Sequence, residues 1–229
     1  MVESNLVTYK NISKNKTVGR RYKTISRFTP HVFVGQVTAK QGCDYFAMTK
    51  DECSSNYVIG KDGDIGLSVE EKDRAWTSSN ADNDHKAITV EIASDKTEPY
   101  KITDKAWDAL VELAVDICKR HNKTKMIWIP DKIKALSYTP KDNEILITVH
   151  RWFKNKSCPG DYVYNRLGEL ADTVNKKLNQ SKPLTDEQKW AIDTGLIAGY
   201  GNGEYGWSDS LTRGQMVIVL KRFYDLIRG

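Results

Sequence analysis

Along the first 180 residues the apolar positions switch repeatedly between two periods. "TPHVFVG" and "AITVEIA" are short runs rich in β-branched and aromatic residues, as buried strands are. In "EILITVH", Ile145, Ile147 and Val149 alternate with Leu146, Thr148 and His150, so the two sets occupy opposite faces of a strand. "SNYVIGKDGDIGLSV" reads as a hairpin turning at Asp62-Gly63. Between these runs the period lengthens. Trp107, Leu110, Val111, Ala114, Val115 and Cys118 recur at helical spacing, as do Leu167, Leu170, Ala171, Val174 and Leu178. Thr38, followed three residues later by Gln41, predicts a capping box that opens a helix towards Phe46. Strands alternating with helices predict an α/β fold with a central sheet flanked by helices.

A second, smaller unit is expected after "LNQSKP", residues 178–183, where an amphipathic helix gives way to a polar, proline-containing joint. Thr185 with Gln188 and Thr212 with Gln215 predict two short capped helices around a loop rich in glycine and aromatic residues, with Gly195 closing the first. Met216, Val219, Leu220, Phe223, Leu226 and Ile227 give the second helix an apolar stripe, suited to a core or to an oligomer face. A module of about 45 residues buries a limited core, so packing on a partner or on a second copy is expected. The expected domains are 1–180 and 184–229.

Composition narrows the partners. The net charge is +5, and the positive excess belongs to the first 183 residues, because positions 184–229 carry five Lys/Arg against six Asp/Glu. The basic residues are scattered without interleaved aromatics, so nucleic acid is not expected. The longest apolar run, Met216 to Leu220, is too short to span a membrane. "MVESNLVTYKNISKNK" has no apolar core of a secretory signal, so synthesis in the cytoplasm is expected. Four cysteines, Cys43, Cys53, Cys118 and Cys158, do not make a disulfide framework, and three of them read as buried reduced thiols.

The fourth thiol lies in "HRWFKNKSCPG", eight residues after His150, with Lys156 two before it. A catalytic zinc site needs three protein ligands and an open position. Of the four histidines, His121 reads as a helix cap and His85, in "ADNDHK", as a polar surface residue. His31 stands in an apolar strand, where it is either a satisfied core residue or a ligand held rigidly. In "AITVEIAS", Ile88, Val90 and Ile92 share one strand face, which turns Glu91 to the other with Thr89. Glu91 is then either salt-bridged on the sheet or a general base. Lys156 is either a solvated lysine or an ammonium placed to stabilise an oxyanion. Arg151, Lys154 and Asn155 read as loop surface.

In their order, "TPH", "SSNYVIGKDGDIG", "RAWTSSNADNDHKAITVEI" and "HRWFKNKSCPG" resemble the zinc-dependent N-acetylmuramoyl-L-alanine amidases, most closely the amidase domains of bacteriophage endolysins from Gram-positive hosts. The resemblance covers roughly residues 25 to 178. It implies the mixed central sheet shared with peptidoglycan recognition proteins, and Zn2+ held by His31, His150 and Cys158. It implies Glu91 as general base, Lys156 at the developing charge, and Trp76, Asn83 and Asp84 as substrate-side or groove-shaping residues. Trp76 would either stack on a sugar or pack the wall. The implied reaction is hydrolysis of the amide between N-acetylmuramic acid and L-alanine. The fold also serves as a non-catalytic peptidoglycan receptor, and bacterial autolysins and prophage amidases share the pattern. This chain departs from many relatives in having Val32 after the first ligand, and Ser55 where some phage amidases have a tyrosine.

The tail resembles a single S-layer-homology repeat at Trp190, Ala191, Gly195, Ile197, Gly199, Tyr200, Gly203, Tyr205, Thr212 and Arg213, with Gln215 where an acid is common. That resemblance implies binding of a secondary wall polymer, through Trp190, Tyr200, Tyr205, Trp207 and Arg213.

Overall fold

Two eight-residue strands, "RFTPHVFV" and "AITVEIAS", lie side by side in the middle of the main sheet. In the computed structural model, which describes residues 3–180, 184–200, 205–207 and 209–228, they belong to a seven-stranded sheet. Gly203 of the tail pattern, and residues 181–183 of the joint, lie outside the described residues. The chain divides into two compact units, Met1–Leu178 and Asn179–Gly229.

In the first unit the elements run β1 (Tyr9–Lys10), β2 (Lys16–Thr17), β3 (Arg27–Val34), α1 (Ala39–Met48), β4 (Tyr57–Ile59), β5 (Ile65–Leu67), β6 (Arg74–Ala75), α2 (Ala81–Lys86) and β7 (Ala87–Ser94). They continue with α3 (Asp104–Arg120), β8 (Lys125–Ile127), α4 (Lys132–Ser137), β9 (Glu144–Ile147), α5 (Gly160–Tyr164) and α6 (Leu167–Gln180). The sheet order is β1-β5-β4-β7-β3-β9-β8, and β2 pairs with β6 apart from it. It is a mixed sheet: β4, β7, β3, β9 and β8 are parallel neighbours, while β4 and β5 form the expected antiparallel hairpin. Gly63 takes φ +84° in its turn, a left-handed conformation that glycine adopts without cost.

The pleat sorts the residues of β3 and β7 between two layers. Phe28, Val32, Ile88, Val90 and Ile92 join the main core with Leu110, Ala114 and Ile117 of α3 and Leu170 and Val174 of α6. These are the helical stripes that the periodicity predicts. A smaller apolar cluster joins Cys43 and Phe46 of α1 to Val58 of β4, with Phe33 packed against it. Gly42 permits that approach, since a Cβ there would meet Val58 Cγ1 at 2.6 Å. The Thr38–Gln41 capping box is formed.

Two histidine expectations are corrected. His85 is on α2 and is buried, not a surface residue, and its Nδ1 accepts from the Arg21 backbone N–H at 3.2 Å. His121 does stand at the C-terminal cap of α3, but its Nε2 also lies 2.7 Å from Glu71 Oε2. Glu71 is fully buried and accepts bidentately from Arg120 at 2.7 and 2.8 Å and from Tyr57 Oη at 2.5 Å. Burial alone would raise its pKa, but the hydrogen bonds from His121 and Arg120 and the Arg120 charge outweigh that and hold it at about 2.

The second unit has α7 (Asp186–Asp193) and α8 (Arg213–Arg228). Both capping pairs form, and Gly195 follows the first helix at φ +69°. The core expectation for α8 is corrected. Its 16 residues include no buried side chain, and Ala191 alone among the described residues of this unit is buried. Met216, Leu220, Phe223 and Ile227 are all at least 44% exposed. About 45 residues do not supply enough apolar surface to cover both helices. Trp190, Tyr200, Trp207 and Arg213 are also exposed, and Tyr205 stacks on Trp207 with ring centroids 5.8 Å apart.

Candidate metal centre

His31 is the fifth residue of β3 and Glu91 the fifth of β7, and the register pairs them directly. One step earlier the same register pairs Thr29 with Thr89. Thr29 continues the row to Thr148 at 2.8 Å. Two polar rows therefore cross the sheet on the face away from the main core, and His31 and Glu91 stand in the one nearer the carboxyl ends of the strands.

The chain after β9 brings in the remaining groups. His150 opens a 3-10 turn, His150–Trp152, anchored by buried Trp152, whose ring stacks on Trp128 at 5.3 Å. The loop then folds back, and the Arg151 backbone N–H donates to the Cys158 carbonyl at 3.2 Å. The Arg151 side chain donates to the Ser157 carbonyl and to Asp161 Oδ1, so Arg151 is a loop fastener and not plain surface. Lys154 and Asn155 are exposed, as expected.

One ligand atom each from His31, His150 and Cys158 lie within 4.8 Å of one another. Cys158 Sγ is 3.2 Å from His31 Nδ1, and Glu91 Oε1 is 3.9 Å from the same nitrogen. The ring centroids of His31 and His150 are 5.1 Å apart. In a tetrahedral zinc site with bonds of 2.0–2.3 Å, neighbouring donors stand about 3.3–3.6 Å apart. The three side chains fit such a site after small adjustments, and they are the donor types zinc prefers.

Electrostatics points the same way. Burial, with the neighbouring His150, holds His31 well below the usual histidine range, and burial with the Lys156 charge lowers His150 to about 4. Burial pushes the Cys158 thiol up, reinforced by Glu91 and opposed by the Val32 N–H, Arg151 and Lys156. Burial alone raises Glu91 to about 8. Glu91 Oε2 is buried without a hydrogen-bond partner. Neutral imidazoles, a desolvated thiol and an unpartnered carboxyl group form a pocket that a divalent cation would satisfy.

The other candidates are placed differently. Lys156 is exposed on the 150–158 loop. Asn83 and Asp84 are buried and offer no surface to a substrate, which corrects their substrate-side reading. Asn83 Nδ2 donates to Thr29 and Ser78 at 3.2 Å, while its Oδ1 accepts from Thr148 at 2.9 Å and Arg27 at 3.1 Å. Asp84 accepts from the backbone N–H groups of Thr77 and Ser78 at 3.1 Å. Trp76 is half-buried and donates its indole N–H to Thr17 Oγ1 at 3.0 Å. Ser55 is buried and donates to Thr89. Ser79, which sequence reasoning passed over, places its Oγ 3.1 Å from His150 Nε2.

A family model described as N-acetylmuramoyl-L-alanine amidase matches residues 21–161. The chain belongs to this family. The amidase match runs from just before β3 to just past Cys158, and so contains every residue of the centre. Among solved structures, PlyL shares 16% identity, covers 74% of this chain and 95% of its own, and superposes with a TM-score of 0.50. A selenomethionine derivative of AmpD shares 14% identity over 75% of this chain and 99% of its own, with a TM-score of 0.51. At these identities the two establish the amidase fold. No curated protein matches the chain.

Proposed function

We propose that the chain is a zinc-dependent peptidoglycan amidase of the bacteriophage endolysin type, cutting the bond between N-acetylmuramic acid and L-alanine in Gram-positive walls. The observation that carries this reading is the convergence of His31, His150 and Cys158 within 4.8 Å, beside Glu91. These three side chains would hold the ion. Zinc, when bound, supplies a Lewis acid and lowers the pKa of water at the site to about 7.

Glu91 acts as the proton carrier. Its unpartnered Oε2 is free to accept a proton from the attacking water. The same carboxyl then protonates the alanine nitrogen as the C–N bond breaks. Positive charge beside Glu91 offsets the burial that otherwise keeps it protonated to about pH 8. Lys156, exposed on the 150–158 loop, would counter charge on the carbonyl oxygen. That placement is supported by its charge being felt at His150. Phe33, two residues beyond His31, packs edge-on to Tyr45 at 5.4 Å and supplies an apolar wall.

In this reading residues 1–180 form the catalytic domain, and 184–229 hold the enzyme to a secondary wall polymer through Trp190, Tyr200, Tyr205, Trp207 and Arg213. The uncovered apolar face of α8 is where a second copy would pack. Synthesis is in the host cytoplasm, with action at the wall after release. No helix among the described residues is long and apolar enough to cross a membrane.

The test is digestion of purified walls with and without chelator, scoring new alanine amino groups against reducing sugars. Chelator-sensitive amine release is expected. Reducing ends without amines would make the enzyme a glycosidase and overturn the proposal.

A further inference from the structure

The two imidazoles of the centre are held in different ways. His31 is locked inside β3, 1% exposed, with its neighbours fixed on both sides by the sheet. His150 stands at the start of a 3-10 turn, half-buried, beyond the last paired residue of β9. Strand pairing therefore does not set its ring orientation. Among the described residues its ring nitrogens have one hydrogen-bond partner: Ser79 Oγ, 3.1 Å from His150 Nε2 and 71 positions away in sequence.

The backbone around Ser79 is arranged for that contact. Ser79 takes φ +57°, a left-handed conformation that is uncommon for any residue but glycine. The segment is clamped on both sides. Asp84 accepts from the N–H groups of Thr77 and Ser78, and Asn80 caps α2 by accepting from the Asn83 N–H at 2.9 Å. Ser78 Oγ is held by Asn83 Nδ2. The unfavourable conformation is thus imposed by the buried Asn83–Asp84 pair, and its result is to aim one exposed hydroxyl at a ring nitrogen of a candidate ligand.

We infer that Ser79 is a positioning residue for His150: its Oγ accepts the Nε2–H, which fixes the tautomer and leaves Nδ1 unprotonated as the nitrogen that would bind the metal. A histidine that binds a metal through one nitrogen needs the other to carry the proton, and a hydrogen-bond acceptor there selects that tautomer and holds the ring plane. His31 has no such acceptor at Nε2, consistent with its being fixed by the strand instead. The inference rests on the zinc reading above and assigns Ser79 no contact with substrate.

The test compares Ser79→Gly and Ser79→Ala with the wild-type full chain, measuring zinc affinity by competition with a chromophoric chelator and thermal stability of the metal-free protein. Glycine removes the hydroxyl but suits φ +57°, so a role limited to the turn would leave zinc affinity unchanged while raising the melting temperature. The inference expects both variants to bind zinc about 10-fold more weakly, the low end for outer-shell partners. It also expects the cobalt-loaded variants to show a shifted visible d–d spectrum. In the glycine variant the metal-free melting temperature should be equal to or above wild type. Zinc affinity within twofold of wild type in Ser79→Gly, with an unshifted cobalt spectrum, would overturn the inference and leave the zinc reading intact. A wild-type chain that binds no zinc would overturn both.

Discussion

Glu91 is the direct cross-strand neighbour of His31, with Oε1 3.9 Å from Nδ1, and its other oxygen is buried with no partner. A carboxylate in that position is costly to keep, because desolvation without a hydrogen bond is unfavourable. The proposed role as proton carrier beside a metal ion would account for its being kept there.

Glu91→Gln should therefore separate chemistry from folding. Alanine-amine release from walls should fall by at least about 10²-fold, the usual loss when a general base is removed. Zinc binding should persist, and the melting temperature of the metal-free protein should be unchanged or higher. Near-normal amine release would remove Glu91 from the mechanism.

Cys158→Ser should abolish both zinc retention and amine release, because a neutral hydroxyl replaces the thiolate ligand. Metal content after dialysis, read by elemental analysis, checks this directly. A variant that keeps one zinc per chain and its activity would exclude Cys158 as a ligand.

Asp84→Ala should destabilise the protein by roughly 2–3 kcal/mol, since the buried N–H groups of Thr77 and Ser78 lose a charged acceptor. Because those groups hold the segment carrying Ser79, zinc affinity should fall in the same variant. Urea denaturation and chelator competition measure the two effects. A stable variant with ordinary zinc affinity would show that the clamp is dispensable.

Glu71 sets an acid limit on stability. Its pKa is lowered from 4.5 to about 2 in the folded protein, so the unfolded chain takes up its proton first as pH falls. The stabilisation, about 3 kcal/mol, is fully present above pH 4.5 and is lost as pH drops towards 2. Glu71→Gln should be less stable than wild type at pH 7 by about that amount, with a smaller gap at pH 3, as chemical denaturation at the two pH values would reveal. An equal gap at both pH values would contradict the linkage.

Residues 1–180 alone should release amines from soluble muramyl peptides as the full chain does, yet sediment less with intact walls. If the truncated protein binds walls normally and the isolated tail does not, the tail has no targeting role.

Much of this fold was legible because its periods are clean. The alternation in "AITVEIAS" turned Glu91 away from Ile88, Val90 and Ile92, and the sheet places it there. The stripes on α3 and α6 were read from spacing alone and lie in the core. What escaped were contacts made by loops across long separations. Nothing local in "TSSNADN" marks Ser79 for a left-handed backbone, since serine has no preference for it. His85 looked polar by its neighbours, but a six-residue helix turned it inward. His121 found Glu71, 50 positions away, by tertiary packing that no motif encodes. The α8 stripe was legible as an apolar face, but its being core was not decided by it, because an apolar periodicity specifies a face and not what covers it.

The separation of His31 from Cys158, 127 positions along the chain, has a mechanical consequence. An ion gripped by both would cross-link the middle of the sheet to the segment leading into α5 and α6, closing one very long loop. Restricting the unfolded chain in that way is worth about 5 kcal/mol for loops of this length. The residues that would perform the reaction would then also staple the domain shut, so that a chelator would disarm the enzyme and loosen its fold in one step.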